Sequence, residues 1–168
     1  MKMRNKVILS FFSISITLFS CDKNRVFDSY ATVPKKWHKD SVITFTFHAP
    51  DTIHHYNLFI NLRNTSDYKY NNIYLIAALK LPHGKTIIDT LQYEMANKKG
   101  EFLGTGFSDV KENKLWYKGH DTPFKFQENG EYEVQLQQAM RENGKVNGIV
   151  NLDGISDVGF RVEKPQEK

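Results

Sequence analysis

Short runs in which apolar and polar residues alternate recur along this chain, and they constrain its fold more than any other feature. Residues 41–48 place Ile43, Phe45 and Phe47 on one side, with mostly polar side chains between them. Because successive side chains of a β-strand point to opposite faces, this period of two predicts a strand with one buried face. The same pattern recurs at 55–63, 86–93, 131–138 and 156–163.

One run differs because it is apolar at nearly every position. Residues 72–81 carry apolar side chains on both faces, so we expect a central strand that is buried on both sides. A turn signal, Pro-His-Gly-Lys at 82–85, leads into 86–93 and makes this pair the clearest hairpin of the chain. Weaker strand candidates are 102–107, which two glycines interrupt, and 114–118.

Short strands linked by Gly, Pro, Asn and Asp turns predict an all-β fold, a single antiparallel β-sandwich of jelly-roll or immunoglobulin-like type. We expect three segments: a leader at 1–20, an acylated N-terminus and tether at 21–40, and the β-sandwich domain at 41–168. The tether is polar with scattered apolar residues, through which it is expected to dock onto the domain: Val26, Phe27, Tyr30 and Trp37.

The first 20 residues have the pattern of an export signal. Residues 1–6 are positively charged, and 7–19 form a 13-residue apolar stretch broken only by hydroxyl side chains. A membrane-spanning helix needs about 20 apolar residues, so this stretch is too short to span. It ends at Ser20-Cys21, and Leu18-Phe19-Ser20-Cys21 is similar to a bacterial lipobox, in which the cysteine becomes the lipid-modified first residue of the mature protein.

Three other roles for Cys21 compete with lipidation. A catalytic thiol needs a folded pocket that lowers its pKa, and a residue at the exit of an apolar leader has none. A disulfide within the chain is excluded because Cys21 is its only cysteine. A chance cysteine in an ordinary signal peptide is the third, since Phe19 is bulkier than most residues at its position. We predict lipidation at Cys21, so that covalent acyl chains hold the protein to a membrane and no other cofactor is needed.

Net charge excludes nucleic acid as a partner. The whole chain has a formal charge of +4, but Lys2, Arg4 and Lys6 belong to the leader. The remaining 148 residues carry 20 positive and 19 negative side chains, a net charge of +1. A nearly neutral chain lacks the basic surface that binding to phosphate backbones requires.

Motifs for catalysis or metal binding are weak. The six histidines lack the paired spacing of a zinc site, and His54 and His55 would point to opposite faces of a strand. Glu131 and Glu133 share a strand face, as the two acids of a glycosidase must, but Gln135 continues the same face as a solvated surface. We therefore expect no catalytic residue, no metal and no small-molecule substrate.

An aromatic binding surface is the stronger possibility. Tyr68, Tyr70, Trp116 and Tyr117 could stack on a sugar or on side chains of a protein partner, although aromatic rings also fill cores. A concave groove with two or more exposed rings would favour a glycan, and a flat patch with an apolar centre would favour a protein. Three sequences, at 40–42, 51–53 and 89–91, resemble an Asp-Ser/Thr-apolar pattern for O-glycosylation. Thr52, in the turn that Pro50 marks, is expected to be the most accessible of the three hydroxyls and is the candidate site.

Five segments carry a family resemblance: YNLFINLRNTSDYKY at 56–70, DTLQYEMA at 89–96, GTGF at 104–107, QAMRENGKVNG at 138–148 and LDGISDVGFR at 152–161. With them the chain resembles the gliding-motility lipoprotein GldH family of Bacteroidota, from Cys21 to about Glu163. Cys21 is the only position onto which a functional role of the family, acylation, is carried over.

This resemblance implies a non-enzymatic lipoprotein of the cell envelope that is required for surface gliding. It implies an outer-membrane anchor, with the domain on the periplasmic side, and a role as scaffold or stabilising partner of the gliding and type IX secretion machinery. The expected partners are other gliding-motility lipoproteins such as GldJ. A carbohydrate-binding or glycan-processing envelope lipoprotein is the alternative, suggested by the sandwich and its aromatic residues.

Overall fold

A computed structural model describes residues 23–34, 36–106 and 108–166 of this protein. These residues form an all-β domain. None of the described segments forms a helix long and apolar enough to span a bilayer. The ten strands are β1 (Arg25–Thr32), β2 (Lys36–His38), β3 (Ile43–His48), β4 (Asn57–Asn64), β5 (Asn72–Lys80), β6 (Thr86–Glu94), β7 (Lys111–Lys118), β8 (Glu131–Gln138), β9 (Asn151–Asp153) and β10 (Ile155–Glu163).

Strand pairing is nested, because the first strand pairs with the last and each later strand with one nearer the middle of the chain. The antiparallel pairs are β1 with β10, β2 with β9, β3 with β8, β4 with β7 and β5 with β6. Two further antiparallel pairs, β10 with β4 and β8 with β5, join these ribbons into four-stranded sheets. The sheets are β1-β10-β4-β7 and β3-β8-β5-β6, with β2-β9 as a small separate ribbon. The antiparallel β-sandwich prediction is confirmed, and the nested order is that of a jelly roll.

The core lies between the two four-stranded sheets and is rich in aromatic rings. Phe47 of β3 lies 5.5 Å from Phe160 of β10, measured between ring centroids, and 5.8 Å from Phe126. Tyr132 of β8 stacks on Phe47 at 6.0 Å. These contacts join the sheets through apolar area removed from water, which contributes roughly 25 cal/mol per Å². Fully buried aliphatic side chains complete the core, among them Leu58, Ile60, Leu62, Ile73, Leu75 and Leu79.

The predicted hairpin between β5 and β6 is present and pairs Asn72 with Glu94 through to Lys80 with Thr86. The prediction that the apolar strand is buried on both sides is wrong. Ile73, Leu75, Ala77 and Leu79 are buried, but Tyr74, Ile76 and Ala78 are only half-buried. The reason is that each sheet of a sandwich packs on one face only, so the second face of β5 is left on the surface.

The predicted tether at 21–40 is, over its described part, mostly integral to the domain. Arg25–Thr32 is an edge strand paired with β10, and Lys36–His38 pairs with β9. Trp37 is fully buried, and its indole N–H donates to the Ser41 carbonyl oxygen at 3.0 Å. The β-domain therefore begins at Arg25 rather than at residue 41, because β1 is the strand that pairs with one edge of β10, the last strand.

The weak strand candidate at 102–107 is wrong as a strand. Phe102 and Thr105 each make one isolated antiparallel bridge, to Ala96 and Glu112 respectively. The candidate at 114–118 is confirmed and extends to Lys111–Lys118 as β7.

The two ends of the sandwich carry different parts of the chain. One end, called the terminal end below, holds Asn24 and Lys164, and the Lys164 backbone N–H donates to the Asn24 carbonyl at 2.8 Å. Loops 49–56, 81–85 and 119–130 lie at the same end.

Hydrogen bonds that backbone N–H groups donate join these three loops. The Ala49 N–H donates to the Gly130 carbonyl at 3.0 Å, and the His83 N–H donates to the Glu128 carboxylate at 3.2 Å. The other end, called the opposite end, holds the β2-β9 ribbon and loops 65–71, 95–110 and 139–150.

Candidate functional site

Two of the four predicted binding aromatics are unavailable to a ligand. Tyr68 is 3% exposed and Tyr117 is 8% exposed, so their rings belong to the core. Burial raises the pKa of both hydroxyls, and each has a partner inside the protein. The Tyr68 hydroxyl donates to the Asn72 carbonyl at 2.7 Å, and the Tyr117 hydroxyl to the Asp89 carboxylate at 3.0 Å. These two predictions of an exposed stacking surface are wrong.

Tyr70 lies in a groove of about 910 Å³, called the Tyr70 groove, on the outer side of sheet β3-β8-β5-β6 at the opposite end. Tyr74 and Ile76 of β5 form part of its floor. The buried Tyr68 ring packs edge-on against Tyr70 at 5.7 Å and holds it in place. Other lining residues include Asn71, Asn72, Thr90, Ala139, Met140 and residues 141–145.

The wall of the Tyr70 groove is an exposed loop at 139–148, which local hydrogen bonds hold against β5. The Ala139 N–H donates to the Tyr74 carbonyl at 2.9 Å, and the Tyr74 N–H donates to the Met140 sulfur at 3.2 Å. At the tip of the loop, Lys145 pairs with Glu142, whose carboxylate raises the Lys145 pKa. The loop is thus fixed at its base, and polar groups project from its tip.

The groove adjoins a patch of uncharged side chains, called the neutral face. It is the middle part of the outer face of sheet β3-β8-β5-β6, and its seven members are Thr44, Ile76, Ala78, Ile88, Thr90, Gln135 and Gln137. Charged side chains of the same outer face border it: Lys80, Glu94, Glu131 and Glu133. The seven members are neighbours across strands, since Ala78 pairs with Ile88 on one side and with Gln135 on the other. Ile88 is 68% exposed. An apolar centre with uncharged polar neighbours is typical of a protein-recognition surface.

Trp116 lies far from Tyr70, on the outer face of the other sheet, so the four predicted residues do not form one platform. Its indole packs on Phe59 with ring centroids 4.3 Å apart, and His120 meets its edge at 5.0 Å. The Lys114 ammonium lies 4.1 Å above the Phe59 ring. Trp116 lines a shallow groove of about 630 Å³ near the terminal end, called the Trp116 groove.

Sequence reasoning missed the neutral face and the contribution of residues 139–148. The apolar residues Ile76 and Ala78 predict a second buried side of β5, but the same pattern also fits an exposed apolar surface. A Gly and an Asn at 143–144 did indicate a turn, but nothing in that turn shows that it forms the wall of a groove.

Thr52 lies in a tight turn at the terminal end. The Asp51 carboxylate accepts hydrogen bonds from the Ile53 and His54 backbone N–H groups, both at 2.8 Å, and thereby closes the turn. Thr52 is half-buried, whereas Ser41 and Thr90, in the other two Asp-Ser/Thr-apolar sequences, are exposed. Thr52 is therefore not the most accessible of the three hydroxyls, contrary to what its turn position suggests.

Cys21 lies outside the described residues, two positions before the first of them, and its lipidation stays a prediction. Within 23–34, 36–106 and 108–166, no group of three or more His, Cys, Asp and Glu side chains is close enough to hold a metal ion. Glu133, one of the two acids considered for catalysis, lies 3.7 Å from Lys80 and accepts a hydrogen bond from Gln135.

The fold and these surfaces define the class of the protein as a β-sandwich domain with a groove and an adjoining neutral face. Residues 25–162 match the family model described as GldH lipoprotein. The chain is 52% identical to the gliding motility lipoprotein GldH homolog of Christiangramia forsetii over 163 residues, which cover 96% of this chain and 98% of that protein. It is 50% identical to the gliding motility lipoprotein GldH of Flavobacterium johnsoniae, over 98% of this chain and 99% of that one. The chain belongs to the GldH lipoprotein family, a family of gliding-motility lipoproteins.

Among solved structures, the chain is similar to the VP2 subviral particle of infectious bursal disease virus, with 16% identity and a TM-score of 0.39. The match covers 85% of this chain and 33% of the viral one, so the chain spans about one third of that protein's length. A structure of the Gx strain of the same virus has 13% identity and a TM-score of 0.32, over 86% of this chain and 34% of that one.

Proposed function

We propose that this protein is a non-enzymatic lipoprotein that binds other proteins of the gliding apparatus. In this proposal acyl chains on Cys21 hold it on the periplasmic side of the outer membrane, where it acts as a scaffold or stabilising partner of the gliding and type IX secretion machinery. The observation that carries the proposal is the neutral face beside the Tyr70 groove, because it joins an apolar centre to uncharged polar neighbours.

The location of the groove supports this choice. Its lining includes 70–72 and 139–145, of which Tyr70 lies in the segment 56–70 and 139–145 lie in the segment 138–148, two of the segments that carry the family resemblance. Family membership assigns the chain to gliding motility, and a recognition surface gives it a way to act there. Other gliding-motility lipoproteins such as GldJ are the partners we propose.

A substitution in the neutral face tests the protein-binding role. Ile88→Glu adds a charge to the apolar centre, and we expect affinity purification from crosslinked cells to recover fewer gliding lipoproteins than with the unchanged chain. The matched control is Val110→Glu, which places the same charge on an exposed apolar residue beside β7, in the other sheet. Equal recovery by both variants would show that the neutral face is not the binding surface.

The anchor has a separate test. We expect Cys21→Ser to leave the domain folded, since the described fold begins after this residue, but to release it from the membrane fraction and to reduce gliding. Wholly membrane-bound Cys21→Ser protein would show that lipid on Cys21 is not the main tether.

Carbohydrate binding is the second candidate, and the Tyr70 groove is the observation in its favour. Two half-exposed rings, Tyr70 and Tyr74, stand beside the amide groups of Asn71, Asn72 and Asn143. Rings with convergent amides can stack on and hydrogen-bond a sugar. Calorimetric titration with isolated envelope glycans, compared between the unchanged chain and Tyr70→Ala, distinguishes the two functions. Saturable binding that Tyr70→Ala abolishes, together with recovery of glycan but no protein from cells, would favour the second.

We also propose O-glycosylation at Thr52 as a modification compatible with an envelope location. Thr52 is half-buried in its turn, so a sugar on its hydroxyl must fit without breaking the hydrogen bonds to the Asp51 carboxylate that close the turn. An intact mass equal to polypeptide plus lipid alone would exclude it.

A further inference from the structure

The link between the proposed anchor and the folded domain is short. Cys21 is two residues before Lys23, the first described residue, so their Cα atoms are at most about 7.6 Å apart at 3.8 Å per peptide unit. Strand β1 begins at Arg25, which pairs with Glu163 near the end of β10. The acyl chains would therefore emerge at the terminal end of the sandwich, within a few ångströms of its surface.

Histidines are concentrated at this end. Five of the six histidines of the chain lie there: His48 at the end of β3, and His54, His55, His83 and His120 in the loops. The side chains of His54, His83 and His120 are all more than half exposed. Imidazole presents an apolar body and a polar tip, which suits the boundary between water and lipid.

Charge at the terminal end does not oppose contact with a negatively charged membrane. Within the described residues its loops and chain ends carry four lysines and three acids, and Asp22, Glu167 and Lys168 beyond them bring the net charge to zero with neutral histidines. Two of the three acids, Asp51 and Glu128, accept hydrogen bonds from histidine side chains, at 2.8 and 2.6 Å. The lysines are Lys23, Lys85, Lys125 and Lys164.

Exposed apolar groups occupy the same region. Ile53 is 71% exposed at the tip of loop 49–56. Trp116 is 39% exposed, two residues before the end of β7, and Phe124 lines the same groove. Trp is enriched where proteins meet the headgroup layer, because the indole is apolar over most of its area and carries one N–H donor.

From this coincidence we infer that the sandwich stands end-on, with its terminal end in contact with the phospholipid headgroups of the membrane that holds the acyl chains of Cys21. The inference rests on the proposed acylation and adds the surface through which the domain itself touches lipid. Strands of nine residues rise about 30 Å at 3.3 Å per residue. The Tyr70 groove at the opposite end thus faces away from the membrane and is open to partners.

Single thiols placed at the two ends test this orientation. Because Cys21 is the only cysteine and acylation consumes its thiol, a new cysteine is the sole free thiol of the mature protein. The matched variants are Ile53→Cys at the terminal end and Val146→Cys, at a residue 87% exposed in loop 139–148. The full acylated protein is reconstituted into vesicles of phosphatidylethanolamine and phosphatidylglycerol, and a fluorophore on each thiol is quenched by headgroup-labelled lipid.

We expect quenching to be several-fold stronger at position 53 than at position 146. Equal or reversed quenching in protein that floats with the vesicles would overturn the orientation and leave the anchor intact. Protein that does not float would overturn the anchor, and the orientation with it.

The two tryptophans give an independent measurement without a label. Trp116 lies near the terminal end, whereas Trp37 is buried in β2 at the opposite end. Lipids with a quencher near the headgroup should reduce the tryptophan emission of the unchanged protein, and Trp116→Phe should remove this effect. If the quencher reduced the emission of neither protein, the region around Trp116 would not contact lipid. A protein partner would then be the occupant of the terminal end.

Discussion

The Lys118 ammonium lies 2.9 Å from the Asp89 carboxylate, and this ion pair joins β7 and β6, edge strands of two different sheets. The same carboxylate oxygen accepts a hydrogen bond from the buried Tyr117 hydroxyl. Nearby, the Tyr93 hydroxyl of β6 donates to the Trp116 carbonyl of β7 at 2.6 Å. The open side of the sandwich, where no further strand pairs with these described edges, is thus closed by side chains.

Asp89→Asn should weaken this closure. An amide keeps the shape but loses the charge that Lys118 and the Tyr117 hydroxyl both use, and hydrogen bonds to charged groups contribute about 1.5–3 kcal/mol. We expect the free energy of unfolding, measured with urea, to fall by about 1–2 kcal/mol because both partners keep some access to water. Glu94→Gln, at an exposed position of the same strand, is the control. A loss as large in the control would show that the effect is not specific to this closure.

The two tryptophans should differ strongly in their contribution to stability. Trp37→Ala removes a fully buried ring and its hydrogen bond to Ser41, and such truncations cost about 3–5 kcal/mol. Trp116→Ala removes a partly exposed ring stacked on Phe59, for which about 1 kcal/mol is expected. Urea unfolding followed by far-UV circular dichroism measures both. If Trp37→Ala cost no more than Trp116→Ala, the segment around β2 would be a loosely docked tether after all.

The long strands were predictable because alternation is a local property. Residues 41–48 and 131–138 each reveal a buried face without reference to any partner. Pairing is not local: β1 and β10 meet across nearly the whole chain, and only β5 and β6, joined by the turn at 81–85, reveal their partnership in sequence. The tether prediction failed for this reason, since the role of the first strand depends on a strand that comes last.

The candidate site was less predictable than the fold. Tyr68 and Tyr70 are two residues apart in a loop, where the strand rule that such residues share a face does not apply. Tyr68 is buried, whereas Tyr70 lines the groove. Tyr117 follows Trp116 directly, so the two rings point to opposite faces of β7, inward and outward. Aromatic residues can be located by sequence, but which of them faces solvent depends on the packing of both sheets.

Asp51 should make the free energy of unfolding depend on pH in the acid range. The His54 backbone N–H, followed by the Tyr56 hydroxyl and the His54 side chain, holds the pKa of this carboxyl below its ordinary value of 3.8. A carboxyl with a lowered pKa in the folded state adds stability that is fully present above its unfolded pKa and is lost as pH falls towards its folded pKa. We expect Asp51→Asn to flatten the decline in unfolding free energy below about pH 4 in urea titrations.

Tyr56→Phe supplies the matched comparison for Asp51. It removes the 2.7 Å hydrogen bond that the Tyr56 hydroxyl donates to the carboxylate and leaves the charge in place. Its acid dependence should lie between those of the unchanged chain and Asp51→Asn. An unchanged slope in Asp51→Asn would show that other carboxylates account for the acid sensitivity.

Gly154 and Gly144 are expected to respond differently to alanine, although both have positive φ, +81° and +78°. At Gly144, in the exposed loop 139–148, an added Cβ meets nothing within 4 Å, so the cost is the left-handed backbone alone, about 1–2 kcal/mol. At Gly154 the added Cβ collides with the Tyr68 backbone, and the Gly154 carbonyl also accepts the Thr65 N–H at 2.8 Å. Gly154→Ala must therefore push loop 65–71 away from the β9–β10 connection, with a larger loss of unfolding free energy and a change in the near-UV signal of Tyr68. If both variants lost the same free energy in urea, the close approach at Gly154 would not be holding Tyr68, and through it Tyr70, in position.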